Sequence, residues 1–402
     1  MDKIVVIGAG QASGWAVNTF RQQGFTGEIH VVSNEEHVFY ERPPLSKQVL
    51  AQDASYESLQ LFQPEQIDQF SVIWHKPDLA IAIDREQKLV MLKSGQQLSY
   101  DKLLIATGSR ARVPLTGWRE IQNLFTLRNI QDCERLTHVF EQSEKLAIIG
   151  GGWIGLEIAA TARQQGKQVD VFEYGERLCA RSVSPEVSEF LKQIHEEAGT
   201  QIHLNAKHLD VRELENQQIL IEDPVQSATF DAVVVGAGAD IAKELAVDAG
   251  LAVKDGIVVD HYGQTSDSSI YAAGDVAIHP SLGYSIQSWA NAQNQAISAA
   301  KSMLGVATEY VDIPWLWSDQ YDYNIQILGT YQADSTQQVV IRELSHKQKS
   351  FIYLDQYNRI LNVIAVNDSK LIKLAKRWIN SGYVVDPQQL TDPNFNLMKL
   401  KA

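Results

Sequence analysis

The sequence predicts an α/β fold, with two Rossmann-like units and a smaller α+β unit towards the C-terminal end. Three observations predict it. Near Gly8 and again near Gly150, a Val/Ile/Leu/Ala-rich run leads into closely spaced glycines and then a helix-like run. Late in the chain, short apolar runs at turn-like spacing precede one amphipathic helical stretch.

In the first unit, "KIVVIGAGQASG" reads as a buried parallel strand, Lys3 to Ile7, entering a loop with Gly8 and Gly10. Such glycines let the backbone approach a pyrophosphate at the start of the following helix. Ser13 stands at the third glycine position, beside Gly14. Serine is small, so the motif reads as intact. The next strand, "EIHVVSNE", ends at Asn34 and Glu35, where a ribose-binding acid belongs. The second unit, "LAIIGGGWIGLE", fills all three glycine positions with Gly150, Gly152 and Gly155. Its second strand, "QVDVFE", ends at Glu173, whose carboxylate would accept ribose hydroxyls and repel a 2′-phosphate, favouring NADH over NADPH. Two dinucleotide sites in one chain point to a flavin in one and a nicotinamide in the other. The buried strand in "DKLLIATGSR" ends at Thr107 and Gly108, and "IYAAGD" ends at Asp275; both fit the flavin half.

At 402 residues the chain has room for two or three full cores. A net charge of −14 argues against broad nucleic-acid binding. The most apolar run, Leu146 to Ala160, carries Glu157 and several glycines, so no membrane span is expected. A strand begins almost at the first residue, which leaves no room for a signal peptide, and the expected location is cytoplasmic. Cys133 and Cys179 form no Cys-x-x-Cys pair, which speaks against a dithiol redox centre. The histidines, among them His37, His75, His195, His203 and His208, show no metal-ligand spacing and are assigned to the surface; no metal is expected.

Several strings together carry a more specific resemblance. They are "YERPPLSK" (Tyr40–Lys47), "YDKLLIATGSR" (Tyr100–Arg110), "IGGGWIGLEIAA" (Ile149–Ala160), "IYAAGDVA" (Ile270–Ala277), "SWANAQNQA" (Ser288–Ala296) and "PWLWSDQYD" (Pro314–Asp322). With these the chain resembles, essentially end to end, the ferredoxin reductase components of Rieske-type aromatic-ring-hydroxylating dioxygenases, most closely the phenylpropionate dioxygenase reductase type. The resemblance implies a glutathione-reductase-like arrangement: an FAD-binding domain at 1–112 and 238–312, an NAD-binding domain at 113–237 and a C-terminal reductase domain at 313–402. It implies that NADH reduces FAD, which then passes electrons singly to a [2Fe–2S] ferredoxin, Rieske-type or plant-type, and through it to a terminal oxygenase. FAD contacts carried over by motif are Gly8, Gly10, Ala12, Asn34 or Glu35, Arg42, Lys47, Thr107, Gly108, Arg128, Asp275 and Trp289. NADH contacts are Gly150, Gly152, Ile154, Glu157, Glu173 and Arg181. Departures from the family pattern are Asn34 in place of Asp, Gln287 in place of Glu, and Lys370 in place of Arg.

Three residues are expected to act closest to the chemistry. Glu157 falls in the first turn of a helix otherwise lined with Ile, Leu and Ala, so it needs a partner. The family pattern supplies Lys47. In "IPWLWSDQYDYNIQ" (residues 313–326), Trp315 or, preferably, Trp317 would pack beside the flavin ring, with Asp319, Gln320 and Tyr321 fixing a turn. The strands "QQVVIREL", "KSFIYLD" and "RILNVIAVN" and a helix ending at Gly382 complete the C-terminal unit. Acidic ferredoxins would need a basic patch, either Arg110 and Arg112 or the helix carrying Lys370, Lys373, Lys376 and Arg377. Remaining alternatives are a reductase for the ferredoxin of a haem monooxygenase, an NADH oxidase or peroxidase, and a redox-sensing flavoprotein.

Overall fold

Ile4, Val5, Val6 and Ile7 are buried on both faces of a five-stranded sheet, which is why they read as an unbroken apolar run. The computed structural model describes residues 1–225, 227–331 and 338–400 and divides into two units. The first takes in Met1–Pro43, Ser55–Arg110 and Ala239–Pro314. Its sheet runs Ile270–Ala272, Lys102–Ile105, Lys3–Ile7, Glu28–Val32 and Val72–His75, all parallel. On one face the helices Gln11–Gln22 and Trp289–Met303 pack together through Ala16, Ala292, Ala296 and Ala299, whose small side chains allow close approach. The other face buries Ile83, Val90, Leu92 and Leu98 from a three-stranded antiparallel sheet.

The second unit takes in Pro44–Ala54, Ala111–Gly238 and Trp315–Ala402. It repeats the parallel design with Gln201–His203, Gln168–Phe172, Lys145–Ile149, Ala232–Val235 and Leu124–Phe125. One face of this sheet packs on Ile219, Ile221 and Phe230 of a second antiparallel triplet. Its C-terminal part is a five-stranded antiparallel sheet ordered Trp315–Gln320, Tyr323–Leu328, Ile360–Val366, Gln348–Leu354 and Gln338–Ser345. The helix Ser369–Ser381 lies on it through Leu371, Ile372, Leu374, Ala375 and Trp378. Asp368 caps that helix, and Gly382 ends it at φ +63°, the left-handed backbone that glycine adopts without strain.

The three C-terminal strands and the helix fall where their periodicity placed them, although Gln337, the first residue of one expected strand, lies outside the described residues. The aromatic segment departs from expectation. Asp319 and Gln320 do not form a turn; they end a strand, and the tip is Tyr321–Asp322, with Tyr321 at φ +53°. Among the described residues no helix is long and apolar enough to cross a membrane.

Candidate active site

In the first unit, Gly8 sits at φ +112°, and a Cβ there would lie 2.2 Å from the Ala106 carbonyl oxygen, so only glycine fits. The loop delivers the chain to the helix Gln11–Gln22, whose N-cap, Gly10, offers no side-chain cap. No acidic residue occupies its first turn. The helix-start N–H groups therefore keep an open cradle for an anion. Ala12 and Ser13 are buried there, and the Ser13 hydroxyl has no hydrogen-bond partner among the described residues. Close packing falls on Gly14 instead, where a Cβ would meet Phe39 at 3.0 Å.

Other residues expected at this site gather into two polar groups. Arg42 donates to Glu35 Oε1 at 2.7 Å and to the Tyr40 hydroxyl at 2.8 Å, while Tyr40 donates to Glu35 Oε2 at 2.6 Å. Burial raises the Glu35 carboxyl, but the Arg42 guanidinium and the Tyr40 hydroxyl outweigh it and leave the group below the usual carboxylate range. Asn34 is exposed. In the second group, Asp275 Oδ2 accepts from the Ser109 hydroxyl at 2.7 Å, and Thr107 donates to the Ala242 carbonyl at 2.7 Å. Gly108 adopts φ +68° between them in sequence. Asp275 also reaches Arg42 electrostatically. Trp289 opens the helix Trp289–Met303 and donates to Glu41 Oε1 at 3.2 Å.

In the second unit the same device recurs, with the closest packing shifted to the third glycine. Gly150 has φ +116°, with a would-be Cβ 2.5 Å from the Gly236 carbonyl oxygen, and a Cβ on Gly155 would lie 2.2 Å from that of Gly150. Gly152 is the N-cap of Trp153–Gln164, again without a side-chain cap or a first-turn acid. Glu173 accepts the Gly151 N–H at 2.6 Å and the Gly175 N–H at 2.6 Å, which pins its carboxylate beside the loop. Ile154 and Arg181 are exposed. Both loops thus lead, through a glycine whose backbone leaves no room for a side chain, to a helix start without a side-chain cap or a first-turn acid, which fits dinucleotide pyrophosphates.

Also within the second unit, Lys47 Nζ lies 2.8 Å from Glu157 Oε2, with side-chain exposures of 9% and 6%. Glu157 lies just past the first helical turn rather than in it. Two hydroxyls absent from the sequence-based expectations complete its surroundings: Ser46 donates to Oε2 at 2.5 Å and Ser318 to Oε1 at 2.6 Å. The Lys47 segment is held by Thr161, which donates to the Ser46 carbonyl at 2.9 Å, and by Cys133, whose Sγ lies 3.3 Å from the Leu45 carbonyl oxygen. Arg128 stands ahead of the helix Ile130–Gln142, its N–H donating to Asp132 at 3.0 Å.

Trp315 and Trp317 stack with centroids 5.2 Å apart. Strand alternation puts them on the sheet face opposite Ser318 and Gln320. Trp317 Nε1 donates to Asp319 at 3.1 Å, and Trp315 Nε1 is buried without a partner among the described residues. One assignment is corrected. His195 is not a surface residue but has no exposed area, on the buried side of the helix Pro185–Glu197 with Val187, Leu191 and Ile194. Its spacing from those three carried the signal. Cys179 is buried against the Gly151 carbonyl oxygen at 3.5 Å, and burial, with Glu173 and Glu157 nearby, pushes its thiol well up, away from thiolate chemistry.

Residues 2–296 match the pyridine nucleotide-disulphide oxidoreductase family. The chain belongs to that family. Residues 315–401 match the reductase C-terminal family. Among solved structures, the ferredoxin reductase for the CYP199A2 system from Rhodopseudomonas palustris is 31% identical, with 99% of each chain covered and a TM-score of 0.92. Putidaredoxin reductase, solved in its covalent complex with putidaredoxin, is 32% identical over 97% of this chain and 96% of that one, with a TM-score of 0.90. A water-forming NADH oxidase from Lactobacillus brevis shares the fold at 19% identity over 98% of this chain and 95% of that one, with a TM-score of 0.86. The chain is therefore a flavoprotein oxidoreductase that uses FAD and a reduced pyridine nucleotide, with a ferredoxin-reductase-type fold.

Proposed function

We propose that this chain is an NADH:ferredoxin reductase that passes electrons through FAD to a [2Fe–2S] ferredoxin, Rieske-type or plant-type, supplying a Rieske aromatic-ring dioxygenase. The ferredoxin-reductase part of this reading is carried by the end-to-end likeness, above 30% identity, to two reductases whose names pair them with a CYP199A2 system and with putidaredoxin; the dioxygenase rests on the sequence resemblance alone. FAD supplies the exchange between a two-electron donor and a one-electron acceptor. The FAD-binding domain comprises 1–112 and 238–312, the NAD-binding domain 113–237 and the reductase domain 313–402. Gly8, Gly10 and Ala12 receive the FAD pyrophosphate; Asn34 or Glu35 holds its ribose, and Arg42, Thr107, Gly108, Arg128, Asp275 and Trp289 orient the remainder. Gly150, Gly152, Ile154 and Arg181 receive NADH, and the pinned Glu173 carboxylate repels a 2′-phosphate. Lys47, held by Glu157, places a cation where charge changes during hydride transfer. Trp317 lines the way out for electrons.

Lys370, Lys373, Lys376 and Arg377 are all exposed on one side of the helix Ser369–Ser381, so that one element presents four cations where Arg110 and Arg112 present two. The helix is the better ferredoxin dock. Changing Lys373, Lys376 and Arg377 to glutamate lowers ferredoxin reduction while ferricyanide reduction by NADH stays level; equal losses in both assays reject the dock. A second reading, a ferredoxin that serves a haem monooxygenase, is favoured by the CYP199A2-system relative. Comparing how fast the protein reduces the ferredoxin of a Rieske dioxygenase with how fast it reduces the ferredoxin of a haem monooxygenase separates the two.

A further inference from the structure

Glu157 is the end of a longer chain of hydrogen-bonded side chains, most of them buried, in the second unit. Tyr321 Oη lies 3.0 Å from His195 Nδ1, and His195 Nε2 lies 2.9 Å from Gln320 Oε1. Gln320 Nε2 lies 3.0 Å from Ser318 Oγ, which lies 2.6 Å from Glu157 Oε1. His195, Gln320 and Ser318 are buried, with at most 1% exposure each. Four links therefore join the hairpin tip at Tyr321 to the acid that holds Lys47.

The direction of every link follows from the carboxylate. Glu157, ionised beside Lys47, only accepts, so Ser318 spends its single proton on it. Ser318 must then accept from the Gln320 amide nitrogen, which turns the Gln320 oxygen towards His195. An oxygen there requires a proton on His195 Nε2. Nδ1 of the neutral ring is then bare and accepts from the Tyr321 hydroxyl. Each donor points towards Glu157, and hydrogen bonds aligned head to tail strengthen one another. Burial keeps the His195 ring neutral, lowering its pKa to about 4 against a smaller opposite effect of Gln320.

We propose that Ser318, Gln320, His195 and Tyr321 are positioning residues that hold the Glu157 carboxylate in one orientation, and through it the Lys47 ammonium. The proposal rests on the reading of Lys47 and Glu157 given above. It makes the tautomer of a histidine three links away a report on the hydrogen bonding of Glu157.

The test has two arms on the FAD-loaded protein. In two-bond ¹H–¹⁵N NMR of histidine-labelled protein, His195 is expected as the neutral Nε2–H tautomer at neutral pH. In Glu157→Gln, the amide nitrogen avoids the Lys47 ammonium and faces Ser318. Ser318 then donates to a turned Gln320, and His195 is expected to switch to Nδ1–H. A native Nδ1–H tautomer, or no switch in the variant, overturns the chain. In stopped-flow reduction by NADH, Ser318→Ala is expected to slow hydride transfer about tenfold, equal to about 1.4 kcal/mol. NADH affinity should stay within about twofold, and Ser318→Thr should recover to within about threefold of native. Ser318→Ala at the native rate beside a slow Lys47→Met overturns the chain alone. Lys47→Met at the native rate overturns the underlying reading of the ion pair.

Discussion

Glu157→Gln keeps the shape of the side chain and removes its charge, leaving Lys47 with 9% side-chain exposure and no counter-charge on that acid. At 2.8 Å and an effective dielectric constant of about 20, the gross attraction lost is about 6 kcal/mol. The net penalty is smaller, because ammonium and solvent rearrange; breaking one side of a buried pair typically costs about 3–5 kcal/mol. The Ser46 and Ser318 hydroxyls, both aimed at the carboxylate, lose charge-assisted bonds as well. The expected loss for the second unit is therefore about 3–5 kcal/mol, read as a lower urea midpoint at unchanged slope by circular dichroism. Lys47→Met is expected to destabilise too. The double variant should recover at least about 2 kcal/mol relative to the sum of the singles, because neither charge is then stranded. Single variants within about 0.5 kcal/mol of native, or a strictly additive double variant, refute a buried and coupled pair.

Other outcomes follow from individual residues. His195 titrates near pH 4 in the folded chain against about 6.5 when unfolded, so the unfolded state takes up the proton first as pH falls. Stability present above about pH 6.5 should fall by on the order of 3 kcal/mol towards pH 4, and His195→Gln should remove that part of the slope in urea titrations. Gly8→Ala must adopt φ +112° and displace the Ala106 carbonyl, so the variant should purify without FAD or fail to fold; a native flavin spectrum contradicts the cradle. Arg342 donates to the carbonyls of Leu390, Asp392, Pro393 and Phe395 from a buried position, so Arg342→Met should release the C-terminal segment to limited proteolysis. An unchanged digestion pattern counts against that anchoring.

The two nucleotide units were legible because their signals are local. A doubly buried strand, a glycine that must take positive φ and an uncapped helix start all lie within a few consecutive residues, as at Ile4–Gly10 and Ile148–Gly152. The pairing of Lys47 with Glu157 spans more than a hundred positions and came from the family pattern; spacing alone does not give it. Ser318 was missed, and Gln320 was assigned to a turn, for a different reason. The strand Trp315–Gln320 alternates large aromatics on one face with Leu, Ser and Gln on the other. A buried face that is polar, because it serves an acid and a histidine, carries no apolar period to detect. His195 was misassigned because histidines were judged by metal-ligand spacing rather than by their place on an amphipathic helix.

Under the proposed function, reducing equivalents enter from NADH and leave one electron at a time to a [2Fe–2S] ferredoxin. Sequential-mixing stopped flow tests it directly: the FAD-loaded protein is reduced anaerobically with NADH or NADPH, then mixed with oxidised ferredoxin or with dissolved oxygen. Reduction is expected to be at least about tenfold faster with NADH, because the Glu173 carboxylate disfavours a 2′-phosphate, and reoxidation by ferredoxin is expected to outpace reoxidation by oxygen. Equal reduction by NADPH would contradict the role of Glu173, and reoxidation by oxygen faster than by any [2Fe–2S] ferredoxin would contradict the function itself.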